Sequence, residues 1–331
     1  MTRLNFATVG TSWITTAFIN ASRETNDFTL TAVYSRSEEK AKEFAAIHGA
    51  PNMYTDFEQM AKSSQIECVY IASPNSLHFE QAIMFLKNKK HVICEKPIFS
   101  NTKELNQAHE VAKENHVYLF EAVRNIHSSN FQVLKERVNE IGQVRSMLLH
   151  RSKYSSRYDE YLKGEKPNIF SSNFSGGALV DLGVYPLYLA ITLFGEPRTT
   201  SYFPVILDSG VDGNGTLVLT YSGFTCTIMC SKISDTNNSC EIHGEAGTLA
   251  FMNAGTITGL ERFETKTKKR TLCKTTDIEH DMGYEIENFK RIIERNDIQE
   301  YRRLKDLSFA VLSITEKVRK QNGIWFKGEK S

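Results

Sequence analysis

The stretch LNFATVG at residues 4–10, continued by SWITTAFINASRE at 12–24 and FTLTAVYS at 28–35, decides the fold. The first and third segments are short and rich in apolar and β-branched residues, so they predict strands, whereas the middle segment has the length of a helix. Similar pairs of strand and helix follow one another to about residue 120. Strands and helices that alternate at this spacing predict a parallel, doubly wound sheet.

The pattern changes after residue 140, where short apolar runs are separated by Gly, Asn, Asp and Ser. Runs such as GNGTLVLTYS (213–222) and FTCTIMCSK (224–232) predict a mainly antiparallel sheet. Helices are expected at about 179–194, 280–295 and 303–321.

The predicted fold is therefore α/β and comprises two domains. Residues 1–122 should form a Rossmann-type, doubly wound parallel sheet. Residues 123–331 should form an α+β domain with a large, mainly antiparallel open sheet. Two domains are also what 331 residues suggest by length.

Charge and hydropathy argue against nucleic-acid and membrane partners. Forty basic and thirty-nine acidic residues give a net charge of +1. We find no apolar stretch approaching the about 20 residues that a membrane helix needs. The start, MTRLNFATVG, runs directly into a strand without the apolar segment of a signal peptide. We therefore expect a cytoplasmic protein.

Cysteines and histidines give no indication of a metal site. The six cysteines include no CxxC pair, and the nine histidines show no HExxH spacing. Cys226 and Cys230 lie on one face of an alternating run and are expected to be reduced core residues.

The turn VGTSWIT at 9–15 follows the first predicted strand and opens the first helix. A dinucleotide-binding GxGxxG turn occupies this place, and its helix N-terminus binds the pyrophosphate. Gly10 fits the pattern, but Ser12 and Thr15 stand at the second and third glycines. Taken alone, this match makes an ordinary strand-to-helix turn about as plausible as a cofactor-binding turn. The place of the turn, directly after the first strand, favours a cofactor-binding turn. The predicted cofactor contacts here are Gly10, Thr11, Ser12, Trp13 and Ile14.

The end of the second strand indicates which dinucleotide is bound. Folds that bind NAD place Asp or Glu there to hold the ribose 2′-hydroxyl, whereas this chain has Ser35 and Arg36, with Lys40 one helical turn further on. A hydroxyl and a guanidinium would donate hydrogen bonds to a 2′-phosphate. NADP(H) is therefore favoured and NAD(H) is possible, unless Arg36 is only a solvated residue at a strand end.

Two later loops, ASPNSLHFE at 72–80 and CEKP at 94–97, follow the fourth and fifth predicted strands and therefore lie at the same edge of the sheet. Ligands of open α/β sheets bind outside the carboxyl ends of the strands. Read in isolation, His78 is more typical of a helix cap than of a ligand contact. The residues predicted to face the nicotinamide end of the cofactor are Ser73, Pro74, Asn75, His78, Glu95 and Lys96.

Four motifs in this order resemble the Gfo/Idh/MocA oxidoreductases, and the resemblance covers essentially the whole chain. The tyrosine at the end of the third motif is similar to the branch that contains dimeric dihydrodiol dehydrogenase and glucose–fructose oxidoreductase. The motifs are Pro74-Asn75 with His78, Glu95-Lys96-Pro97, GGALVDLGVYPLY at 176–188, and IHGEAGTL at 242–249.

The resemblance implies an NADP-dependent oxidoreductase that transfers a hydride between the nicotinamide and a hydroxyl or carbonyl carbon of a sugar, polyol or diol. Lys96, Asp181 and Tyr185 are its implied catalytic and substrate-binding residues. Either Tyr185 donates the proton beside a Lys96 ammonium, or Lys96 donates it and Tyr185 orients the oxygen. Asp181 would bind a substrate hydroxyl or hold Lys96. Further expected substrate contacts are Arg124 and Arg157.

The family resemblance also implies that residues 1–122 bind NAD(P) and that residues 123–331 bind substrate and mediate oligomerisation. The free face of the second sheet would then pack against another subunit, so a homodimer or larger oligomer is expected. A non-catalytic sensor that binds the cofactor without turning it over is the alternative function on this fold. Retention of both Lys96 and Tyr185 favours the enzyme.

Overall fold

The computed structural model describes residues 3–276 and 281–329. These residues form two compact units. The first comprises residues 3–123 with 281–309, and the second comprises 124–276 with 310–329.

The first unit contains a six-stranded sheet in which every pairing is parallel. Its order is β3-β2-β1-β4-β5-β6. The strands β2 and β3 are added on one side of β1 and the strands from β4 onward on the other side, so the strand order reverses between β1 and β4. This is the doubly wound order that the alternating sequence predicts. The strands are β1 Leu4–Val9, β2 Phe28–Tyr34, β3 Asn52–Tyr54, β4 Cys68–Ile71, β5 His91–Glu95 and β6 Leu119–Ala122.

Five helices of the first unit connect these strands. Their apolar residues build an aromatic core, in which the ring of Phe18 stacks on Tyr70 at 3.8 Å between centroids. Phe6 contacts Phe18 edge to face at 5.7 Å. The helices are α1 Trp13–Thr25, α2 Glu38–His48, α3 Phe57–Lys62, α4 His78–Lys87 and α5 Thr102–Glu114.

The second unit contains an eight-stranded sheet of order β14-β13-β12-β11-β7-β10-β9-β8. All its pairings are antiparallel except that of β7 with β10. The predicted mainly antiparallel sheet is confirmed. The strands are β7 Val144–Ser152, β8 Thr199–Ile206, β9 Asp212–Thr220, β10 Thr225–Ser231, β11 Cys240–Gly244, β12 Gly247–Phe251, β13 Glu261–Glu264 and β14 Arg270–Leu272.

The second unit also contains the helices α6 Ser129–Val138, α7 Tyr158–Leu162 and α8 Val184–Phe194. A π-helical turn, Leu179–Gly183, leads directly into α8. Residues Ser172–Phe194 have a mean hydropathy of 1.6 over a window long enough to cross a membrane, so the prediction that no apolar run approaches that length is wrong. Because 78% of that window is buried inside the protein, the run is typical of a core helix.

The C-terminal helices α9 Gly283–Arg295 and α10 Ile298–Gln321 correct the expected division of the chain. Residues 281–309 belong with the first unit rather than with the second domain. Within that unit Phe289 stacks on Phe120 at 4.5 Å, and the Lys290 ammonium lies 3.0 Å from the Asp27 carboxylate. Such long-range contacts leave no mark on the local pattern of the sequence. The expected helix start at residue 280 lies outside the described residues.

Candidate active site

A cavity of about 640 Å³ lies at the carboxyl ends of β1 and β4 in the first unit. This is the point at which the strand order reverses, where open α/β sheets bind their ligands. The predicted cofactor residues that line it are Gly10, Thr11, Ser12, Ser35, Arg36, Lys40, Ser73 and Pro74.

Gly10 is required by the shape of this cavity. Its φ is +112°, and a Cβ atom would lie 2.7 Å from the carbonyl oxygen of Ala72 at the end of β4. Only glycine fits both conditions. Thr15, at the third glycine position, is fully buried with its hydroxyl 3.5 Å from that Cβ position. The fold therefore accommodates the threonine while the turn keeps its glycine.

Positive charge gathers at the end of β2. Arg36 and Lys40 are exposed on the cavity wall, and the Ser37 hydroxyl accepts a hydrogen bond from the backbone amide of Lys40 to cap α2. Burial raises the pKa of Tyr34, and the nearby Arg36 guanidinium opposes this shift. Tyr34 itself stacks on Phe57 at 3.8 Å. The wall thus combines an apolar aromatic surface with two cations.

Six of the predicted cofactor contacts are not brought to the wall of this cavity, as far as the structure describes the chain. Trp13 is 73% exposed at the start of α1. His78 is fully buried, with ring nitrogens 2.9 Å from the Ser73 carbonyl oxygen and 3.1 Å from that of Pro97. Burial lowers the pKa of His78. Its ring therefore connects the two loops, while its backbone amide caps the 3₁₀ turn that begins at Asn75. The six are Trp13, Ile14, Asn75, His78, Glu95 and Lys96.

Two buried carboxylates hold the loop that carries Lys96. Glu95 accepts a hydrogen bond of 2.6 Å from the Tyr70 hydroxyl and one of 3.3 Å from the backbone amide of Lys96. Glu121 accepts a hydrogen bond of 3.1 Å from the amide of Ile98. The backbone at Lys96 and at Ile98 is therefore fixed by side chains of β5 and β6.

In the second unit, each glycine of the motif at 176–188 has a close neighbour. A Cβ atom on Gly176 would collide with the Ile169 carbonyl group, and one on Gly177 would collide with the Asp212 carboxylate. Gly183 packs against Cys230, whose sulfur would lie 3.2 Å from a Cβ. The glycines allow the chain before α8 to lie against β9 and β10.

The side chain of Asp212, at the start of β9, lies against the start of this helical segment. Its carboxylate accepts hydrogen bonds of 2.6 Å from the Leu179 amide and 2.6 Å from the Tyr202 hydroxyl. Burial raises the pKa of Asp212, while these hydrogen bonds oppose the shift. An acceptor at this end satisfies helix amides that would otherwise be unpaired.

Asp181 and Tyr185 follow on the same segment, four residues apart. The Asp181 carboxylate forms an ion pair with the Lys232 ammonium. Tyr185 is buried, and the Arg151 guanidinium lies 5.3 Å from its ring centroid. Asn125 donates a hydrogen bond of 3.0 Å to the backbone oxygen of Tyr185, which fixes the start of α8.

Family models cover most of the chain. Residues 4–123 match the oxidoreductase family with an NAD-binding Rossmann fold, GFO_IDH_MocA, and residues 131–250 match the GFO/IDH/MocA C-terminal domain. The chain belongs to the Gfo/Idh/MocA oxidoreductase family.

Proteins of known activity are similar to between 66% and 99% of this chain. The scyllo-inositol 2-dehydrogenase (NADP(+)) IolU of Bacillus subtilis is 42% identical over 99% of this chain and 100% of its own. The trans-1,2-dihydrobenzene-1,2-diol dehydrogenase of Danio rerio is 30% identical over 66% of this chain and 64% of its own. KijD10, a 3-ketoreductase from Actinomadura kijaniata crystallised with NADP, has a TM-score of 0.80 at 21% identity, covers 96% of this chain and 97% of its own, and supports the fold.

The two arginines proposed to contact substrate are placed differently. Arg124 is half-buried in the short 3₁₀ turn Arg124–Ile126. Arg157 has a 62% exposed side chain that pairs with Glu160 at 2.6 Å. Their contacts with substrate remain predictions, and the ion pair weakens the case for Arg157.

Sequence reasoning missed several residues that line the cavity of the first unit or contact the segment with Asp181 and Tyr185 in the second unit. Lys232 ends the strand-like run FTCTIMCSK and looks like a solvated residue, and Asp212 sits in VDGNG, which looks like a turn. The family motif drew attention to Asp181 but not to its partner 51 residues away. The missed residues are Tyr34, Ser37, Phe57, Arg151, Asp212 and Lys232.

Proposed function

We propose that this protein is an NADP-dependent oxidoreductase that transfers a hydride between the nicotinamide and a hydroxyl or carbonyl carbon of a sugar, polyol or diol. The observation that carries the proposal is the cavity at the sheet switch point, with Gly10 in close contact with β4 and Arg36 and Lys40 on its wall. The similarity to a scyllo-inositol 2-dehydrogenase favours a cyclic polyol as the first substrate to test.

The residues present fit the dinucleotide. Because Gly10 has no side chain, a pyrophosphate has space next to the N-terminus of α1, where first-turn amides attract anions. Ser35, Arg36 and Lys40 supply donors and positive charge for a ribose 2′-phosphate. The first unit would therefore bind NADP(H) in preference to NAD(H), and the second would bind the substrate.

The bound cofactor supplies the hydride chemistry. Tyr185 donates a proton to the alkoxide that forms when a carbonyl is reduced, and takes it back in the oxidative direction. The Lys96 ammonium supplies positive charge at the same oxygen. Asp181 accepts a hydrogen bond from a substrate hydroxyl. The opposing assignment, in which Lys96 carries the proton, predicts different losses of turnover in Tyr185→Phe and Lys96→Met.

The proposed enzyme is cytoplasmic and associates with further copies of itself through one face of the second sheet. Phe203 on β8 and Met229 on β10 both lie opposite Thr216 of β9, so they share one face of the sheet. They are 65% and 44% exposed, and Val205, two residues along β8, is 53% exposed. Exposed apolar side chains in a contiguous row are typical of protein interfaces. A homodimer or larger oligomer formed through this face would cover them.

The fluorescence of bound NADPH tests enzyme against sensor. The protein is saturated with NADPH, and carbonyl derivatives of inositols, sugars and dihydrodiols are added separately. An oxidoreductase loses the NADPH signal with at least one of them and regains it with NADP and the corresponding alcohol. Binding of NADPH without turnover of any member of the panel would favour the sensor instead.

A further inference from the structure

Asp181 has a buried partner outside the family motif. The Lys232 ammonium donates a hydrogen bond to Asp181 Oδ2. The side chain of Lys232 is 5% exposed and that of Asp181 is 19% exposed. The carboxylate is therefore the more accessible member of the pair, with the ammonium behind it.

The backbone of Lys232 is fixed on both sides, so its ammonium has a defined place. Its amide donates a hydrogen bond of 2.8 Å to the Gly213 carbonyl oxygen, and its own carbonyl oxygen accepts one of 2.9 Å from the Ser155 amide. These contacts continue the sheet beyond the end of β10. The long side chain then leads from a rigid strand end to Asp181.

The helical segment holds Asp181 equally firmly. Asp181 lies in the π-helical turn Leu179–Gly183, a geometry that occurs often at functional sites. The turn is anchored by Asp212, which accepts a hydrogen bond from Leu179. Tyr185 follows Asp181 by four residues, where α8 begins.

A buried ion pair is weak evidence for stability, because well-packed apolar residues usually serve as well or better. Here the carboxylate of the pair belongs to Asp181, a proposed substrate-binding residue. The pair is therefore more readily explained by a role of this carboxylate in binding substrate. A neighbouring ammonium favours the charged carboxylate and restricts its orientation. A charged, oriented carboxylate is a strong acceptor for hydroxyl groups.

We infer that Lys232 is a positioning residue for substrate recognition, which orients the Asp181 carboxylate to accept hydrogen bonds from the hydroxyl groups of a polyol. The inference rests on the proposed function and extends it to a residue outside the known motif. Lys232 acts through Asp181 and does not itself carry the proton.

The test compares Lys232→Met with Lys232→Arg, using scyllo-inositol and NADP as probes. Lys232→Met should raise KM for the polyol about tenfold or more, because a charged hydrogen bond to Asp181 is lost. NADPH affinity and kcat should change much less. Lys232→Arg keeps the charge and should stay within a few-fold of the parent protein. Lys266→Met, at an exposed lysine beyond β13, is the matched control. Equal KM values in the parent protein and Lys232→Met would overturn the inference.

A second comparison separates positioning from folding. Lys232→Met is introduced into Asp181→Asn, so that no unpaired carboxylate is left in the site. If Lys232 acts through Asp181, the second substitution should add little to the KM increase caused by the first. Independent, multiplicative losses would contradict the inference, even if Lys232→Met alone folds poorly.

Calorimetric binding of scyllo-inositol to the NADPH complex separates this inference from the proposed function. If the parent protein binds scyllo-inositol in calorimetry but oxidises neither it nor any other alcohol of the panel when NADP is supplied, the proposed oxidoreductase activity is rejected. The Lys232 comparison stays intact, because the variants can be ranked by affinity. Polyol binding that is equally strong in Lys232→Met would reject the inference alone. Absence of both binding and turnover in the parent protein would overturn both.

Discussion

The carboxylate of Asp212 accepts a 2.6 Å hydrogen bond from the backbone amide of Leu179, a residue 33 positions earlier in the chain. This bond joins the start of β9 to the start of the helical segment that carries Asp181 and Tyr185. The space for the carboxylate is available because residue 177 is glycine. Gly177 of the family motif thus has a physical role in positioning Asp181 and Tyr185.

Gly177→Ala should destabilise the second unit through this contact. Its φ is +134°, and the new methyl group would overlap the Asp212 carboxylate. Overpacking of this kind typically costs about 1–3 kcal/mol in the free energy of unfolding, beyond the strain of the backbone angle. Gly210→Ala is the control, because its φ is +79° but the space around it is open. Urea unfolding that shows the same loss in both variants would contradict the role assigned to Asp212.

Arg36→Asp should weaken the preference for NADPH over NADH. The substitution removes a charge-assisted donor and adds repulsion to the 2′-phosphate, so NADPH affinity should fall about tenfold or more while NADH affinity changes less. Lys42→Asp makes the same change in charge from an exposed residue of α2 outside the cavity wall. Titration of NADPH fluorescence measures both. Equal affinities of the unaltered protein for NADPH and NADH would contradict the assignment.

His109 should make the first unit sensitive to acid. Burial, helped by the Lys305 charge, lowers the pKa of His109 to about 3, whereas an unfolded histidine titrates near 6.5. Below about pH 6.5 the unfolded chain takes up a proton that the folded chain does not, so stability falls as pH falls toward 3. The loss from this residue is about 2 kcal/mol at pH 5.

His109→Gln should remove that part of the pH dependence. The measurement is the free energy of unfolding in urea at pH 7 and at pH 5, and the predicted result is a smaller difference in the variant. His116→Asn, at an exposed histidine that follows α5, should keep the full difference. An unchanged difference in His109→Gln would show that the buried ring does not control acid stability.

The parts of the fold that sequence predicts are those with a local signal. The alternation of strands and helices up to residue 120 gives the parallel sheet, and Gly10 marks the phosphate turn because only glycine permits its angle and contact. The Ser35–Arg36 pair can also be predicted from a local signal, because it directly follows β2.

The parts that sequence does not predict depend on partners distant in the chain. Phe289 and Lys290 bring α9 into the first unit through Phe120 and Asp27, which no local pattern indicates. His78 was expected at the cofactor, yet its ring contacts loop carbonyl groups. Lys232 and Asp212 resemble ordinary strand-end and turn residues until the fold places them against the motif.

Tyr185→Phe and Lys96→Met distinguish the two assignments of the proton. Tyr185→Phe removes only the phenolic oxygen, and loss of a positioned proton donor typically lowers turnover about 10²–10⁴-fold. NADPH binding should be retained. If Tyr185→Phe stays within a few-fold of the parent protein while Lys96→Met abolishes turnover, the tyrosine is not the acid and the lysine takes that role.

Direct transfer of hydrogen tests the central claim. The protein is incubated with NADPH deuterated at the transferable nicotinamide position and with the ketone derived from scyllo-inositol, and the product is analysed by mass spectrometry. The account predicts one deuterium on the carbinol carbon with the parent protein, and a rate of incorporation at least about 10²-fold lower with Tyr185→Phe. Bound NADPH that transfers no deuterium to this ketone, or to any sugar or dihydrodiol ketone, would contradict the proposal that the protein is an oxidoreductase.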